Sequence, residues 1–281
     1  MILDGHIHLR EDSKDIPTFL ERLKSADIDG GIIISVEPRR SSLSSQQRLD
    51  DVMAVTEVAE NLFPFFWVDP LAADAADQIK AAVERGVAGF KVICEDFEPG
   101  DPRAMPVYRR IAAAEKPILF HSGILWHPTD NARFNRPLLF ESLLAVEGLR
   151  FSLAHIGWPW CDETIAVYGK FLNAYTHRPD LSVEMFIDVT PGTPPIYRRD
   201  ALVKLFTVGY DVENNVIFGT DSCVNNYNTD WAREWIERDN KIYNEIGLGE
   251  ITRTNIFSEN LLRFVGVDSR QVKHKGLRPG E

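Results

Sequence analysis

Short apolar runs rich in β-branched and aromatic residues recur along the chain, and between them apolar positions fall at three- and four-residue steps. The first pattern marks buried strands and the second amphipathic helices. Strands are predicted near residues 2–7, 30–36, 63–69, 87–93, 117–122, 151–156, 182–188 and 215–220. Their starts lie 24 to 34 residues apart, room for a strand, a helix and two loops each time. Helical spacing is clearest at 16–26, 47–61, 73–85, 163–175 and 231–246. Eight such units close a parallel barrel, and no Pro/Ser/Gly-rich linker divides the chain. The expectation is an α/β fold, a single (β/α)8 TIM barrel over residues 1–266, with a polar tail at 267–281. An open doubly wound sheet is the competitor. Its phosphate-binding signatures are missing: no Gly-x-Gly-x-x-Gly follows the first strand, and no Gly-x-x-x-x-Gly-Lys-Ser/Thr occurs.

Polar residues stand where these strands end. His6 and His8 are two apart on the first strand, which aims both imidazoles to one side. His121 ends the fifth strand, His155 the sixth and Asp221 the eighth. In a barrel the carboxyl ends of all strands share one face, so these five residues converge there. A single strand-end histidine is ordinarily a cap or a surface hydrogen bond. Five together point to a metal site, and imidazoles with a carboxylate suit Zn, Mn or Fe(II) better than Ca or Mg.

Composition narrows the partners. With 44% hydrophobic and 26% charged residues, the chain has a globular profile, and it contains no apolar run long enough to span a bilayer. Its first residues lead into the histidine-bearing segment rather than a signal peptide, so a cytoplasmic location is expected. Cys94, Cys161 and Cys223 are odd in number and widely spaced, as free thiols would be. A net charge of -11 argues against nucleic acid as a partner. It leaves room for a small acidic substrate, because a few local arginines reverse the field inside a pocket.

These motifs resemble the amidohydrolase superfamily, in its amidohydrolase-related branch of small-molecule hydrolases, lactonases and metal-dependent decarboxylases. The resemblance covers nearly the whole chain. It implies metal binding by the first-strand pair His6 and His8, the fifth-strand His121, His155 in Ala154-His155-Ile156-Gly157, and Asp221 in Gly219-Thr220-Asp221-Ser222. The segment 255–264 is similar to the closing helix of the family, which packs under the barrel. Lys91, in Gly89-Phe90-Lys91-Val92, resembles the position that is carboxylated in some two-metal members. In the decarboxylase-like and lactonase-like branch the similar pattern accompanies one metal and an unmodified lysine. One divalent ion is therefore expected, zinc first with manganese or iron as alternatives, and Lys91 orients substrate or neighbouring carboxylates. Members differ in whether the fifth- or sixth-strand histidine stays on the metal, and that choice is left open here.

The implied chemistry is attack by water whose pKa a metal has lowered. Asp221 would accept the proton and return it to the leaving atom, while His155 would polarise the scissile carbonyl or act as the base. Substrate contacts are expected from the loops beyond the strands. The segment 123–137 contains Trp126, His127, Arg133 and Arg136, of which the arginines offer paired donors to a carboxylate and Trp126 an apolar cover. Arg10 lies two residues past His8, and Trp158 and Trp160 follow His155, where they wall a pocket or pack a helix. The segment 37–48, with Arg39, Arg40 and Arg48, reads as a rim or a solvated connection. Cys223 is expected to be an inert thiol, and Glu184 and Asp188 share one face of the seventh strand as hydrogen-bond partners of the ligands. The leading expectation is a metal-dependent hydrolase of a small carboxylated lactone, ester or amide. The alternatives are a nonoxidative decarboxylase of an aromatic or unsaturated carboxylate and a non-enzymatic metal-binding protein. Barrels of this branch often pair, so a homodimer is open, with the basic segment around His274 expected to be a flexible tail or a strap onto a neighbouring subunit.

Overall fold

Strand β1 (Leu3–His8) lies at the centre of the architecture because both ends of the sheet meet on it. The structure, a computed structural model, describes residues 1–13 and 15–267. Strands β2 (Gly30–Ile34), β3 (Leu62–Trp67), β4 (Gly89–Val92), β5 (Ile118–Phe120), β6 (Arg150–Leu153) and β7 (Glu184–Asp188) follow in spatial as well as chain order, every pairing parallel. β8 (Val216–Ile217) continues from β7, and β9 (Ser222–Cys223) pairs with Ile7 and His8 of β1. Between β8 and β9 the Phe218 carbonyl accepts the Gly5 N–H at 2.8 Å. β8 and β9 are thus two halves of one strand, and the sheet is an eight-stranded closed barrel. A Cβ on Gly5 would lie 2.6 Å from Ile217 Cγ2 and 2.8 Å from the Phe218 carbonyl oxygen, so only glycine lets the seam close this tightly.

Two apolar layers hold the barrel. Inside, Leu3, Ile32, Phe65, Leu119, Phe186 and Ile217 fill the lower lumen, while the larger outer cluster lies between the sheet and its ring of helices. The helices are α1 (Ile16–Ser25), α2 (Ser45–Thr56), α3 (Ala75–Arg85), α4 (Met105–Ala113), α5 (Cys161–His177), α6 (Pro195–Thr207) and α7 (Thr229–Glu245). Local sequence starts several of them: Asp15 accepts the Thr18 N–H, Ser44 and Gln47 form a reciprocal capping box, and Asn228 accepts the Trp231 N–H. After α8 (Glu250–Thr254) a wide turn at Asn255–Glu259 leads into α9 (Asn260–Val265). Leu261, Phe264 and Val265 plug the amino-terminal mouth, with the Phe264 ring 6.0 Å from Phe65 and 5.1 Å from Phe186. This is the closing helix expected under the barrel.

All eight predicted strands are present, with ends shifted by a few residues. α2 stops at Thr56, short of the predicted residue 61, because the Asn61 carbonyl is already engaged with the Gly31 N–H at the bottom of β2. Arg48 belongs to α2 rather than to a rim loop: it is 2% exposed and donates to the Trp67 carbonyl at 2.8 Å. Between β5 and β6 the chain runs through two 3-10 turns, Ala132–Asn135 and Pro137–Ala145, in place of a regular helix. No helix among the described residues is long and apolar enough to cross a membrane. Apart from Val267, the predicted tail lies outside the described residues.

Candidate active site

Strand alternation places His6 and His8 on the lumen side of β1 while Ile7 between them is fully buried in the outer layer. His6 Nδ1 donates to Asp188 Oδ2 at 2.8 Å, which leaves Nε2 for the lumen. His6 Nε2 and His8 Nε2 stand 3.8 and 3.2 Å from Asp221 Oδ1. Asp188 is in turn fixed by Thr190, whose backbone N–H donates to its Oδ1 at 2.6 Å and whose hydroxyl donates to the same atom. Of the two acids predicted on β7, only Asp188 reaches the ligands. Glu184 sits at the opposite end of the strand, paired with Arg263 and Asn215, because the barrel separates the two ends of β7.

Asp221 and His155 share a backbone feature. Both adopt left-handed conformations, at φ 59° and 61°, and Ile156 beside His155 has φ 47°. Left-handed φ is uncommon for non-glycine residues; Asp27 and Glu115 show it in turns after helices, whereas Asp221, His155 and Ile156 show it at strand ends beside the lumen. At Asp221 the turn divides β8 from β9 and brings the carboxylate back toward β1. At His155 it swings the ring to 5.2 Å from His6 and 5.0 Å from His121, centroid to centroid. Gly192 packs against this ring, where a Cβ would meet His155 Cβ at 2.9 Å. The buried His155 Nδ1 has no hydrogen-bond partner. His121 is engaged through Nε2 with the Ile124 carbonyl at 3.2 Å, and Lys91 Nζ lies 3.5 Å from His6 Nε2.

Burial governs the protonation states. It holds His6 and His121 well below the ordinary imidazole value and lowers His8 and His155 as well, with the Lys91 charge acting in the same direction on each. Lys91 itself is pushed down to about 8 by burial, against the opposing pull of Asp188 and Asp221. Burial would raise Asp221, but the hydrogen bond to His8 and the surrounding imidazoles outweigh it, so its carboxyl lies below the usual range. Near neutral pH the site therefore offers imidazole lone pairs and a carboxylate, the forms in which these groups bind cations.

The donor set fits a transition metal. One donor atom from each of His6, His8 and Asp221 lies within 4.8 Å of the other two. A tetrahedral zinc with bonds of about 2.0 Å separates its donors by roughly 3.3 Å, a value bracketed by the 3.2 and 3.8 Å spacings to Asp221. Among the described residues this is the single grouping of its kind. His121 and His155 stand beside it rather than in it.

A cavity of about 390 Å³ opens above these residues. Lys91, His121 and His155 line it, and so do Arg10, Trp126, His127 and Trp158 among the predicted substrate contacts. Trp126 stacks on Trp158 with centroids 6.1 Å apart and remains 76% exposed on its outer side. Arg133 and Arg136 do not reach the cavity. Arg133 is exposed, 3.3 Å from Asp130 and stacked on Phe134, and Arg136 pairs with Glu163 over the Trp160 ring, because the 3-10 turn at Ala132–Asn135 carries both outward. Cys223 Sγ accepts from Arg10 Nε at 3.4 Å.

Three contributors escaped the sequence reading. Asp4, fully buried two residues before His6, accepts from the His6 N–H, the Thr220 N–H and hydroxyl, and the Tyr227 hydroxyl, tying β1 to the turn that presents Asp221. An acid two residues before His6, inside the first strand, was the available signal. Trp67 packs its ring 5.8 Å from His8. Glu37, just beyond β2, lines the cavity with its side chain 13% exposed.

Comparison with known proteins agrees with this architecture. A family model described as amidohydrolase matches residues 45–267. No curated protein sequence matches the chain significantly. Among solved structures, a probable 2-pyrone-4,6-dicarboxylic acid hydrolase from Acinetobacter baumannii, with citric acid bound, superposes with a TM-score of 0.61 at 13% identity, over 94% of this chain and 99% of that one. A 2,6-dihydroxybenzoate decarboxylase from Rhizobium gives 0.60 at 14% identity over 95% and 98%. Dihydroorotase from Campylobacter jejuni gives 0.60 at 14% identity over 98% and 85%. At such identities the superpositions speak for a common fold, and the family match extends over most of the sequence. The chain belongs to the amidohydrolase family of metal-dependent enzymes.

Proposed function

We propose that this enzyme hydrolyses a small carboxylated lactone, ester or amide at a single divalent cation, zinc before manganese or iron, held by His6, His8 and Asp221. His121 or His155 would complete the set. When bound, the cation supplies Lewis acidity and makes a neighbouring water easier to deprotonate. The residues divide the remaining work. Asp221, ionised at neutral pH, takes the proton of the attacking water and passes it to the leaving oxygen or nitrogen. His155, on the cavity wall, would polarise the carbonyl of the substrate, and Lys91 orients the acyl group from the β4 wall.

Substrate recognition falls to the rim of the cavity. Arg39 pairs with Asp69 and Asp96, Arg40 with Glu37 and Glu95, Arg133 with Asp130 and Arg136 with Glu163. Among the described residues Arg10 has no carboxylate at ion-pairing distance; its recorded side-chain hydrogen bond is to Cys223. It is the guanidinium left to receive a substrate carboxylate. Trp126 and Trp158 cover the apolar part, with His127 beside them.

The observation that carries this reading is the meeting of three ligand-type donors and one guanidinium without a direct ion-pair partner in a single cavity. A panel of carboxylated lactones, esters, amides and arylcarboxylates, followed by product mass, tests it. Gain of one water without loss of carbon is expected. Release of carbon dioxide would replace hydrolysis with decarboxylation, the activity named for one of the fold relatives. The three free cysteines agree with a cytoplasmic location, and sedimentation of the purified chain distinguishes monomer from homodimer.

A further inference from the structure

The charge balance of the cavity mouth says more about the substrate than the presence of Arg10 alone. Glu37 also faces the cavity, at the end of the strand next to the one that carries Arg10. Its contact with Arg40 engages Oε1, and the same guanidinium also serves Glu95 at 2.8 Å and lies 3.0 Å from His127 Nδ1. One cation thus answers two carboxylates, and the trio keeps an excess negative charge beside the cavity. With 13% of the Glu37 side chain exposed, water screens little of it.

We propose that Arg10 and Glu37 act as a pair that selects substrates bearing one carboxylate and, across the ring or chain, a neutral hydrogen-bond donor such as an amide N–H or a hydroxyl, and that Glu37 excludes dicarboxylates. This rests on the carboxylate-reading role of Arg10 proposed above. The chemistry is asymmetric. An ionised carboxylate carries acceptors only, so a second one arriving at Glu37 brings like charge and no donor, whereas an amide of the same shape donates to it. A cavity of about 390 Å³ suits a single substituted ring.

Two probes of the same outline isolate the effect: 3-carbamoylbenzoate and isophthalate, which differ by an amide in place of one carboxylate. Calorimetric titration at pH 7.5 of the full chain as purified, with its metal content measured, is expected to show 3-carbamoylbenzoate binding about tenfold or more tightly than isophthalate. Glu37→Gln keeps the shape and should bring the two to within about twofold of each other. Arg40→Met provides a second variant that leaves Glu37 in place, strips its counter-charge and should widen the gap. Arg10→Met should weaken both probes alike. Equal binding by the unmodified protein, a preference for isophthalate, or a gap that survives Glu37→Gln overturns the role of Glu37 while leaving Arg10 as the carboxylate reader. Indifference of both probes to Arg10→Met, or binding of neither by the unmodified protein, overturns the carboxylate reading as well.

Discussion

Replacing Asp188 with asparagine tests whether the β7 carboxylate prepares His6 as a ligand. Asp188 Oδ2 accepts His6 Nδ1–H at 2.8 Å, and Oδ1 accepts both the N–H and the hydroxyl of Thr190. Asparagine has one acceptor oxygen. If that oxygen stays with Thr190, the amide nitrogen faces His6 Nδ1 and forces the proton to Nε2, which removes the lone pair from the cluster. If the amide turns over, the buried Thr190 N–H meets a donor instead, a mismatch costing about 1–3 kcal/mol. The first outcome should weaken metal binding by about 10- to 100-fold, the range found when such supporting carboxylates are lost. That corresponds to roughly 1.4–2.8 kcal/mol. Competition against a chelating dye gives the dissociation constant, and urea unfolding of the metal-free protein gives the stability change. A variant that matched the unmodified protein within twofold in affinity and about 0.5 kcal/mol in stability would refute the argument, since one of the two losses is unavoidable.

Other consequences can be read from the same geometry. Lys91 is fully buried with its pKa lowered from 10.5 to about 8, so between those values the unfolded chain holds more protons than the folded one and stability rises with pH. Metal-free Lys91→Met should therefore exceed the unmodified protein most at pH 7, by about 3 kcal/mol more than at pH 10.5, in parallel urea titrations; a pH-independent difference would contradict the shift. Arg198 and Asp239 form a two-bond ion pair at 2.8 and 2.6 Å with both side chains fully buried. Arg198→Met leaves Asp239 uncompensated and should cost about 3–5 kcal/mol, much of it recovered in Arg198→Met/Asp239→Leu, which denaturant midpoints will reveal. Asp221→Asn should lower kcat on the substrate found by screening by about 10²- to 10⁴-fold while far-UV circular dichroism stays unchanged; full turnover in the metal-loaded variant would remove Asp221 from proton transfer. Chelation should lower the thermal midpoint, and readdition of zinc to about 100 times its dissociation constant should restore about 2.7 kcal/mol, a gain that Asp221→Asn should diminish.

The barrel was legible in the sequence because parallel strands buried on both faces are continuous apolar runs, and the helices between them carry their own spacing. The convergence of His6, His8 and Asp221 followed from that topology. What the sequence did not disclose was direction within loops. Arg133 and Arg136 lie in the right segment, yet a 3-10 turn sends them outward, while Glu37 in a shorter loop faces in. Backbone conformation at His155 and Asp221 was equally hidden, since left-handed φ angles at non-glycine residues leave no compositional trace. Asp4 illustrates a third limit: its four donors come from residues 6, 220 and 227, and their meeting depends on closure of the sheet.

The seam between β1 and β8–β9 has a bearing on biogenesis. His8 precedes by 213 residues the carboxylate that meets it, and that carboxylate emerges only after the seventh unit has been made. A nascent or truncated chain ending before Asp221 has the histidines without the left-handed turn between β8 and β9 that presents the carboxylate to them. With the ligand set proposed above, tight capture of a cation would have to wait until the last barrel strand has been made.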